Sequence, residues 1–271
     1  MKIGSALFDI GHMDRLAGQD TPVHRLDPRA KLLTTLVFIV AVVSFDKYEI
    51  SAFIPFFIYP TILMASGNLP PVYILKKIAV VLPFAFLIGI FNPILDREIM
   101  IHLGPVNISG GWISFVSIMI RFVLTVGSAL ILIACTGFNA VCMALEKLGT
   151  PRIFAIQLLF LYRYLFVLVD EGARMVRARS LRTFDGQAMG IRIFGYLLGH
   201  LLLRTLDRAQ RIHLAMFCRG FDGEIRLLRP LKIGGVEIFF VLGWSAFFVL
   251  MRMYNIPQVA GTWILHLLRG T

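Results

Sequence analysis

Long apolar stretches separated by short polar segments run through most of the chain. A bilayer core needs about 20 mainly apolar residues per helix, with about 17 as the lower end. Proline breaks the hydrogen bonding of a helix interior, and Pro55 and Pro60 interrupt the second stretch. The pattern predicts five membrane-spanning helices, at Ala30–Phe45, Ile50–Ser66, Ile78–Leu95, Trp112–Cys135 and Val236–Met251.

Composition supports a membrane protein. The 271 residues are 58% hydrophobic and include 27 Lys+Arg against 16 Asp+Glu, with a mean hydropathy of +0.78. Soluble domains are only about 45–50% apolar. The N-terminal segment is polar through Arg29 and lacks the layout of a cleaved signal peptide, so we expect insertion through the internal spans.

The distribution of positive charge predicts the orientation, because cytoplasmic flanks retain excess Lys and Arg. Five basic residues lie before the first span or at its start, the last being Lys31, and Lys76 and Lys77 lie between the second and third spans. The loops after the first and third spans contain only Lys47 and Arg97, each beside acids. The former segments are therefore predicted inside and the latter outside.

The segment from Lys147 to Lys232 contains fifteen of the basic residues and is predicted to be cytoplasmic. Ile153–Val169 is apolar enough for a sixth span, but crossing there would place twelve basic residues, from Arg174 onward, outside. We interpret it as a buried or interfacial helix. The chain then divides into residues 1–138 with the first four spans, a cytoplasmic helical region at 139–232, and the last span with its tail at 233–271.

Three amphipathic helices are predicted in the cytoplasmic region, at Asn139–Leu148, Arg152–Arg182 and Ile193–Cys218. Gly149 ends the first, and Pro151 suits the start of the next. The last two helices each show an apolar stripe at helical spacing and could pack on one another or on the membrane. The stripes are Leu165, Val169, Ala173 and Val176, and Leu198, Leu202, Thr205, Ala209, Ile212 and Met216.

A small-Arg-small tripeptide occurs near the end of each of these two helices, as Ala178-Arg179-Ser180 and Cys218-Arg219-Gly220. Small neighbours let a partner's backbone approach, and the planar guanidinium suits a carboxylate. Fifteen basic residues also make such triplets common by chance. From the residues alone, docking arginines and solvated or headgroup-binding arginines both stay open.

Catalytic and metal-binding motifs are missing from the sequence. No Lys follows a Gly, which excludes a phosphate-binding P-loop, and the six His and three Cys show no metal-site spacing. We therefore expect no cofactor, no metal site and no catalytic residue. A stand-alone membrane enzyme and an anionic-lipid binder are the less favoured alternatives, and no feature besides the basic excess suggests nucleic acid.

Arg121 is the one clear charge inside a predicted span. Ionisable residues within spans usually have a functional or structural partner. Its side chain could pair with a partner subunit or snorkel to the outer interface, and the sequence favours snorkelling.

The chain resembles the transmembrane T component of energy-coupling-factor (ECF) transporters, most closely the CbiQ cobalt family. The resemblance rests on Leu26-Asp27-Pro28-Arg29-Ala30-Lys31-Leu32, on Leu148-Gly149-Thr150-Pro151 leading to Arg163-Tyr164 and Glu171, and on the two tripeptides. Cys218 stands where the family usually has Ala, which is also small.

This resemblance implies a non-catalytic scaffold whose two tripeptides dock into two CbiO-like ATPase subunits. It also implies a CbiM-like substrate-binding membrane subunit, cobalt ion as cargo for cobalamin synthesis, and a place in the bacterial inner membrane. Related T components serve nickel or vitamin importers, so the cargo stays open between these alternatives.

Overall fold

Helices make up nearly all of the structure, a computed structural model that describes residues 13–95, 99–103, 106–182, 190–222 and 234–254. This confirms the all-α membrane class. In chain order the α-helices are α1 Pro22–Arg25, α2 Pro28–Val43, α3 Ile58–Ser66, α4 Pro71–Gly89, α5 Phe91–Leu95, α6 Gly110–Thr136, α7 Phe138–Lys147, α8 Arg152–Ser180, α9 Ile191–Cys218 and α10 Gly235–Met253.

Two short elements add to the helices. A 3₁₀ helix at Ser51–Phe57 precedes α3, so the second apolar stretch is divided as its two prolines suggested. The strands β1 Ile99–Leu103 and β2 Val106–Ser109 form an antiparallel hairpin before α6. The hairpin was not predicted, and it adds a small sheet to an otherwise helical protein.

Among the residues that the structure describes, four helical segments are long and apolar enough to cross a bilayer, at Pro71–Pro93, Gly110–Thr136, Arg152–Ser180 and Gly235–Met253. Helix α4 begins seven residues before the predicted span, because Pro71 is suited to a first helical turn. Lys76 and Lys77 consequently lie within a helix instead of a loop. Length and composition alone do not separate α8 from the spans.

The chain divides into two compact units. The first unit, which we call the bundle, includes Met13–Ala144 and the segment from Leu231 onward. The second covers Leu145–Pro230 and contains α8 and α9, which we call the basic pair.

The core of the bundle is aromatic. Phe38 of α2 packs against Tyr59 of α3 with ring centroids 4.9 Å apart and against Phe248 of α10 at 5.3 Å. The Tyr59 hydroxyl lies 2.8 Å from the hydroxyl of Thr35, which satisfies both buried groups. Helix α2 also packs along α6, and helix α4 packs along α6 as well. Helices α2 and α6 are therefore central to the bundle.

The basic pair has much less buried surface. Ala155 is the buried residue of α8, and none of the residues of α9 is buried. On α9 the half-buried stripe consists of Leu197, Leu201, Thr205, Arg208, Ile212 and Met216.

The predicted stripe on α9 was right at Thr205, Ile212 and Met216 but wrong at Leu198, Leu202 and Ala209, which are exposed. Leucines cover several sides of this part of the helix, so the sequence pattern does not choose one face. Leu201 packs against α8, and its Cδ2 lies 3.8 Å from the position that a Cβ on Gly172 would occupy.

Candidate coupling site on the basic pair

The first tripeptide occupies the last turn of α8. Ala178 and Ser180 are exposed, and the Ser180 hydroxyl donates a hydrogen bond of 2.8 Å to the carbonyl oxygen of Arg177. The carbonyl end of a helix carries partial negative charge, which favours an arginine in this turn. The structure thus places Arg179 at a helix end with small exposed residues on either side.

The second tripeptide forms the stop signal of α9. Arg219 is the C-cap residue, and Gly220 has φ of +76°, a conformation that glycine adopts without a steric penalty. The backbone N–H of Phe221 donates to the Met216 carbonyl at 3.1 Å, and that of Gly220 donates to Phe217 at 2.9 Å. This pattern satisfies the last carbonyls of the helix. Gly220 therefore has a conformational reason to be small, which the sequence reasoning did not identify.

Arg219 lies beside residues in the first half of α8. Arg163, Tyr164, Arg219 and Phe221 line the same groove of about 500 Å³. Arg163 and Arg179 are sixteen positions apart on α8, which corresponds to about 24 Å at 1.5 Å per residue. The two motif arginines therefore lie at opposite ends of the basic pair.

A single carboxylate links the two helices between these ends. Glu171 of α8 accepts from Arg174 of its own helix at 2.8 Å and from Arg204 of α9 at 2.6 Å. Arg208 of α9 lies 3.8 Å from the same carboxylate. We call this group the Glu171 hub. The sequence analysis names Glu171 but assigns it no role. Its spacing of three residues from Arg174 is the feature that could have indicated an ion pair on α8.

An apolar groove of about 680 Å³ runs along the basic pair next to the hub. Phe160, Val167 and Leu168 of α8 and Ile212 and Met216 of α9 line its walls. Arg204, Arg208 and Arg211 also line it, together with Glu171 and Asp207, so this largely apolar surface has a charged rim.

The stretch Asp27–Lys31 has a structural role in the bundle. The Asp27 carboxylate caps α2 by accepting from the backbone N–H of Arg29 at 2.8 Å. Lys31 is 3% exposed, and its Nζ donates to the carbonyl oxygen of Cys135 at 3.0 Å. Because Cys135 lies in the last turn of α6, this bond ties the start of α2 to the end of α6.

Within the part of the chain that the structure describes, no three His, Cys, Asp or Glu side chains come together as metal ligands would. The features described are an apolar helical bundle, a pair of basic helices and an arginine at each end of that pair. These features are those of an integral membrane protein with an exposed basic helical region.

The comparisons with known proteins name the family. Residues 19–229 match the family CbiQ, cobalt transport protein, and the chain belongs to this family of ECF transporter transmembrane components. It is 28% identical over 257 residues to the ECF transporter transmembrane protein EcfT of Heliobacterium modesticaldum, covering 87% of this chain and 94% of the relative.

Two further relatives carry similar names. The EcfT protein of Leuconostoc gelidum subsp. gasicomitatum is 26% identical, over 86% of this chain and 93% of its own. The cobalt transport protein CbiQ of Salmonella typhimurium is 26% identical, over 54% of this chain and 70% of its own. The relatives are thus named after both the general ECF component and the cobalt transporter.

Proposed function

We propose that the chain is the scaffold subunit of an ATP-driven importer, in which Arg179 and Arg219 dock into two CbiO-like ATPase subunits. The observation that carries this proposal is the placement of the two small-Arg-small motifs at the ends of two helices, with about 24 Å of helix α8 between Arg179 and Arg163, which lines the same groove as Arg219. Each arginine has a small residue on either side in the sequence. A carboxylate of the partner can therefore reach the guanidinium and form a bidentate pair with it. Two separate ends serve two ATPase subunits.

The apolar groove supports the proposal of a second partner, a substrate-binding membrane subunit. A CbiM-like membrane subunit presents apolar helices, and a groove with apolar walls and a charged rim is suited to pack against such a helix. Movement of the ATPases then displaces the ends of the basic pair, and the pair transmits that displacement to the substrate-binding subunit. The chain itself carries out no chemistry in this proposal.

Cobalt ion is the proposed cargo, since the family and one relative are named for cobalt transport. A nickel or vitamin importer is the second candidate, because the other relatives carry the general EcfT name. The cargo is set by the substrate-binding subunit, so a single chain of this kind is compatible with either.

Co-expression with the ATPase and substrate-binding subunits of the same organism tests the proposal. All subunits should co-purify in detergent, and the complex in vesicles should take up cobalt only with ATP, whereas this chain alone should neither hydrolyse ATP nor transport. Uptake of nickel instead of cobalt would select the second candidate. Absence of any association with the ATPases would overturn the proposal.

We further propose that the basic pair faces the cytoplasm of a bacterial cell, with the bundle in the inner membrane. The charge distribution supports this orientation. In a chain without its native cysteines, a cysteine replacing Leu181, which is 85% exposed, should be shielded from an impermeant thiol reagent added outside intact cells. A cysteine replacing Lys47 should react, and equal labelling of the two would refute the orientation.

A further inference from the structure

Two arginines from different helices bind the same short segment of the bundle. Arg121 of α6 donates through Nη2 to the carbonyl oxygens of Phe45 at 2.8 Å and Asp46 at 2.6 Å. Arg252, in the last turn of α10, donates to the carbonyl oxygen of Ser44 at 2.9 Å. The three carbonyls directly follow α2, which ends at Val43. Arg121 thus has its partners within this chain, in the loop predicted to lie outside.

The chemistry of this segment suits guanidinium groups. Ser44 is the C-cap residue of α2, and carbonyls at a helix end lack a partner within the helix and carry partial negative charge. An arginine offers five donors in a planar fork, so it can also reach the carbonyls that follow. The Arg121 guanidinium lies 5.3 Å from the ring centroid of Phe53, and that of Arg252 lies 4.5 Å from the ring of Phe45. The carboxylate of Glu49 lies 3.9 Å from Arg252.

The aromatic rings under the guanidinium groups belong to the buried core. Phe45 and Phe53 are 5% and 1% exposed, and their ring centroids are 5.3 Å apart. A cation over an aromatic face is attracted by the ring quadrupole. Each arginine is therefore fixed by carbonyl oxygens and by a ring that cannot move without disturbing the core.

At the other end of α2, the bond from Lys31 to Cys135 already joins α2 to α6. We propose that Arg121 and Arg252 are positioning residues that fasten α2, α6 and α10 at the Ser44 end into one fixed unit. We call this group the arginine clamp. The inference rests on the proposed function in one respect: a fixed bundle passes on motion generated by the ATPases, whereas a loose one absorbs it.

The first test compares Arg121→Gln, Arg252→Gln and the double variant in the complex with the ATPase and substrate-binding subunits. The amount of substrate transported per ATP hydrolysed should fall by roughly 2- to 30-fold, the range that altered coupling energies produce, while ATP hydrolysis continues. A purely structural loss would lower the amount of complex and both activities together. Arg→Lys at each site keeps the charge and one or more donors, so it should recover part of the ratio. Lys47→Gln, in the same loop, is the control and should leave the ratio unchanged.

A second measurement does not depend on transport. Spin labels replace Val43 and Met253, which are 57% and 75% exposed, in a background carrying Cys218→Ala. Dipolar coupling between the labels should report one narrow distance that nucleotide does not change in the complex. Arg121→Gln with Arg252→Gln should broaden it, also in the isolated chain.

Three results would overturn the clamp: a label distance that shifts with nucleotide, a distribution that stays narrow in the double variant, or an unchanged transport ratio in that variant. Failure of the chain to bind the ATPases would instead refute the proposed function. The labels in the isolated chain would then decide the clamp by themselves, because their broadening requires no partner.

Discussion

The bundle and the basic pair are both rich in apolar residues, yet they are held together in different ways. Helix α6 of the bundle has eleven buried residues, including Leu124 and Ile131, whereas α9 of the basic pair has none. The bundle is joined by an aromatic core and by hydrogen bonds from Lys31, Arg121 and Arg252. The basic pair is joined by the Glu171 hub and by apolar contacts such as that of Leu201 with Gly172.

The difference in burial shows that the bundle packs its apolar side chains against one another, whereas the basic pair leaves many of them exposed. Helices in a bilayer are held together by close packing and by hydrogen bonds between helices, because lipid tails are as apolar as leucine, and the bundle makes both kinds of contact internally. The basic pair leaves its groove and both motif ends accessible, which is the condition for binding partners. An ionic hub fixes the crossing of two helices without covering that surface. Each of the following substitutions disrupts a contact of either the bundle or the basic pair.

The largest effect is expected at the motif arginines. Truncating one member of a desolvated charge pair costs about 3–5 kcal/mol, so Arg179→Ala or Arg219→Ala should impair ATPase binding, and the double change should abolish transport. The bundle should stay folded in the membrane. Pull-down with the ATPase subunits and vesicle uptake measure both properties.

Lys at each motif site keeps the charge but loses the planar fork, so recovery should be partial. Arg192→Ala is the control, because Arg192 is exposed near the start of α9 and an exposed charge contributes only about 0–1 kcal/mol. Wild-type assembly and transport in both Ala variants, or equal harm from the control, would contradict the docking assignment.

The next effect should appear in the bundle alone. Lys31→Met removes a buried charged donor and leaves the Cys135 carbonyl without it, and a hydrogen bond involving a charged group contributes about 1.5–3 kcal/mol. Thermal unfolding of the purified protein in detergent should shift to lower temperature. Lys76→Met makes the same chemical change at an exposed position of α4 and should leave the transition unchanged. Similar shifts in both variants would show that Lys31 does not fasten the helices.

The boundaries of helices could be predicted from the sequence alone. Gly149-Thr150-Pro151 correctly separated α7 from α8, because glycine and proline impose helix boundaries through their own backbone geometry. The predicted ends of α9 differ from the observed ones by two residues at most, since Gly220 marks the stop. Local chemistry of this kind needs no knowledge of the tertiary structure.

Contacts between distant residues could not be predicted in the same way. Arg121 binds a carbonyl 76 positions away, and Arg204 binds a carboxylate 33 positions away. Such pairs depend on how the helices cross, which one sequence does not specify. The predicted position of the apolar stripe around α9 was wrong for a related reason, because a helix with leucines on several sides can present more than one apolar face.

A smaller effect is expected from the Glu171 hub. Glu171→Gln keeps an acceptor but removes the charge that holds Arg174 and Arg204, so the crossing of α8 and α9 should loosen and uptake should slow without loss of the bundle. Salt screens exposed charges, so wild-type uptake should approach that of the variant at high ionic strength. Asp170→Asn is the matched control at the adjacent exposed position. Equal uptake by wild type and Glu171→Gln at low salt would remove the hub from the mechanism.

The smallest effect should be a pH dependence of the bundle. Burial, and then the positive charge of Lys31, lower the pKa of His24 below its ordinary value of 6.5, and its Nδ1 lies 2.7 Å from the Thr21 hydroxyl. A group with a lowered pKa in the folded state binds protons more weakly there than in the unfolded chain. Its contribution to stability is therefore complete above pH 6.5 and is lost as the pH falls through the folded-state pKa. The unfolding temperature of the wild type should decrease from pH 7.5 to 5.5, a range above the ordinary pKa of carboxylates. His24→Asn should flatten this decrease, whereas His200→Asn, at an exposed position of α9, should leave it intact. An equal decrease in the His24 variant would assign the pH dependence to other groups.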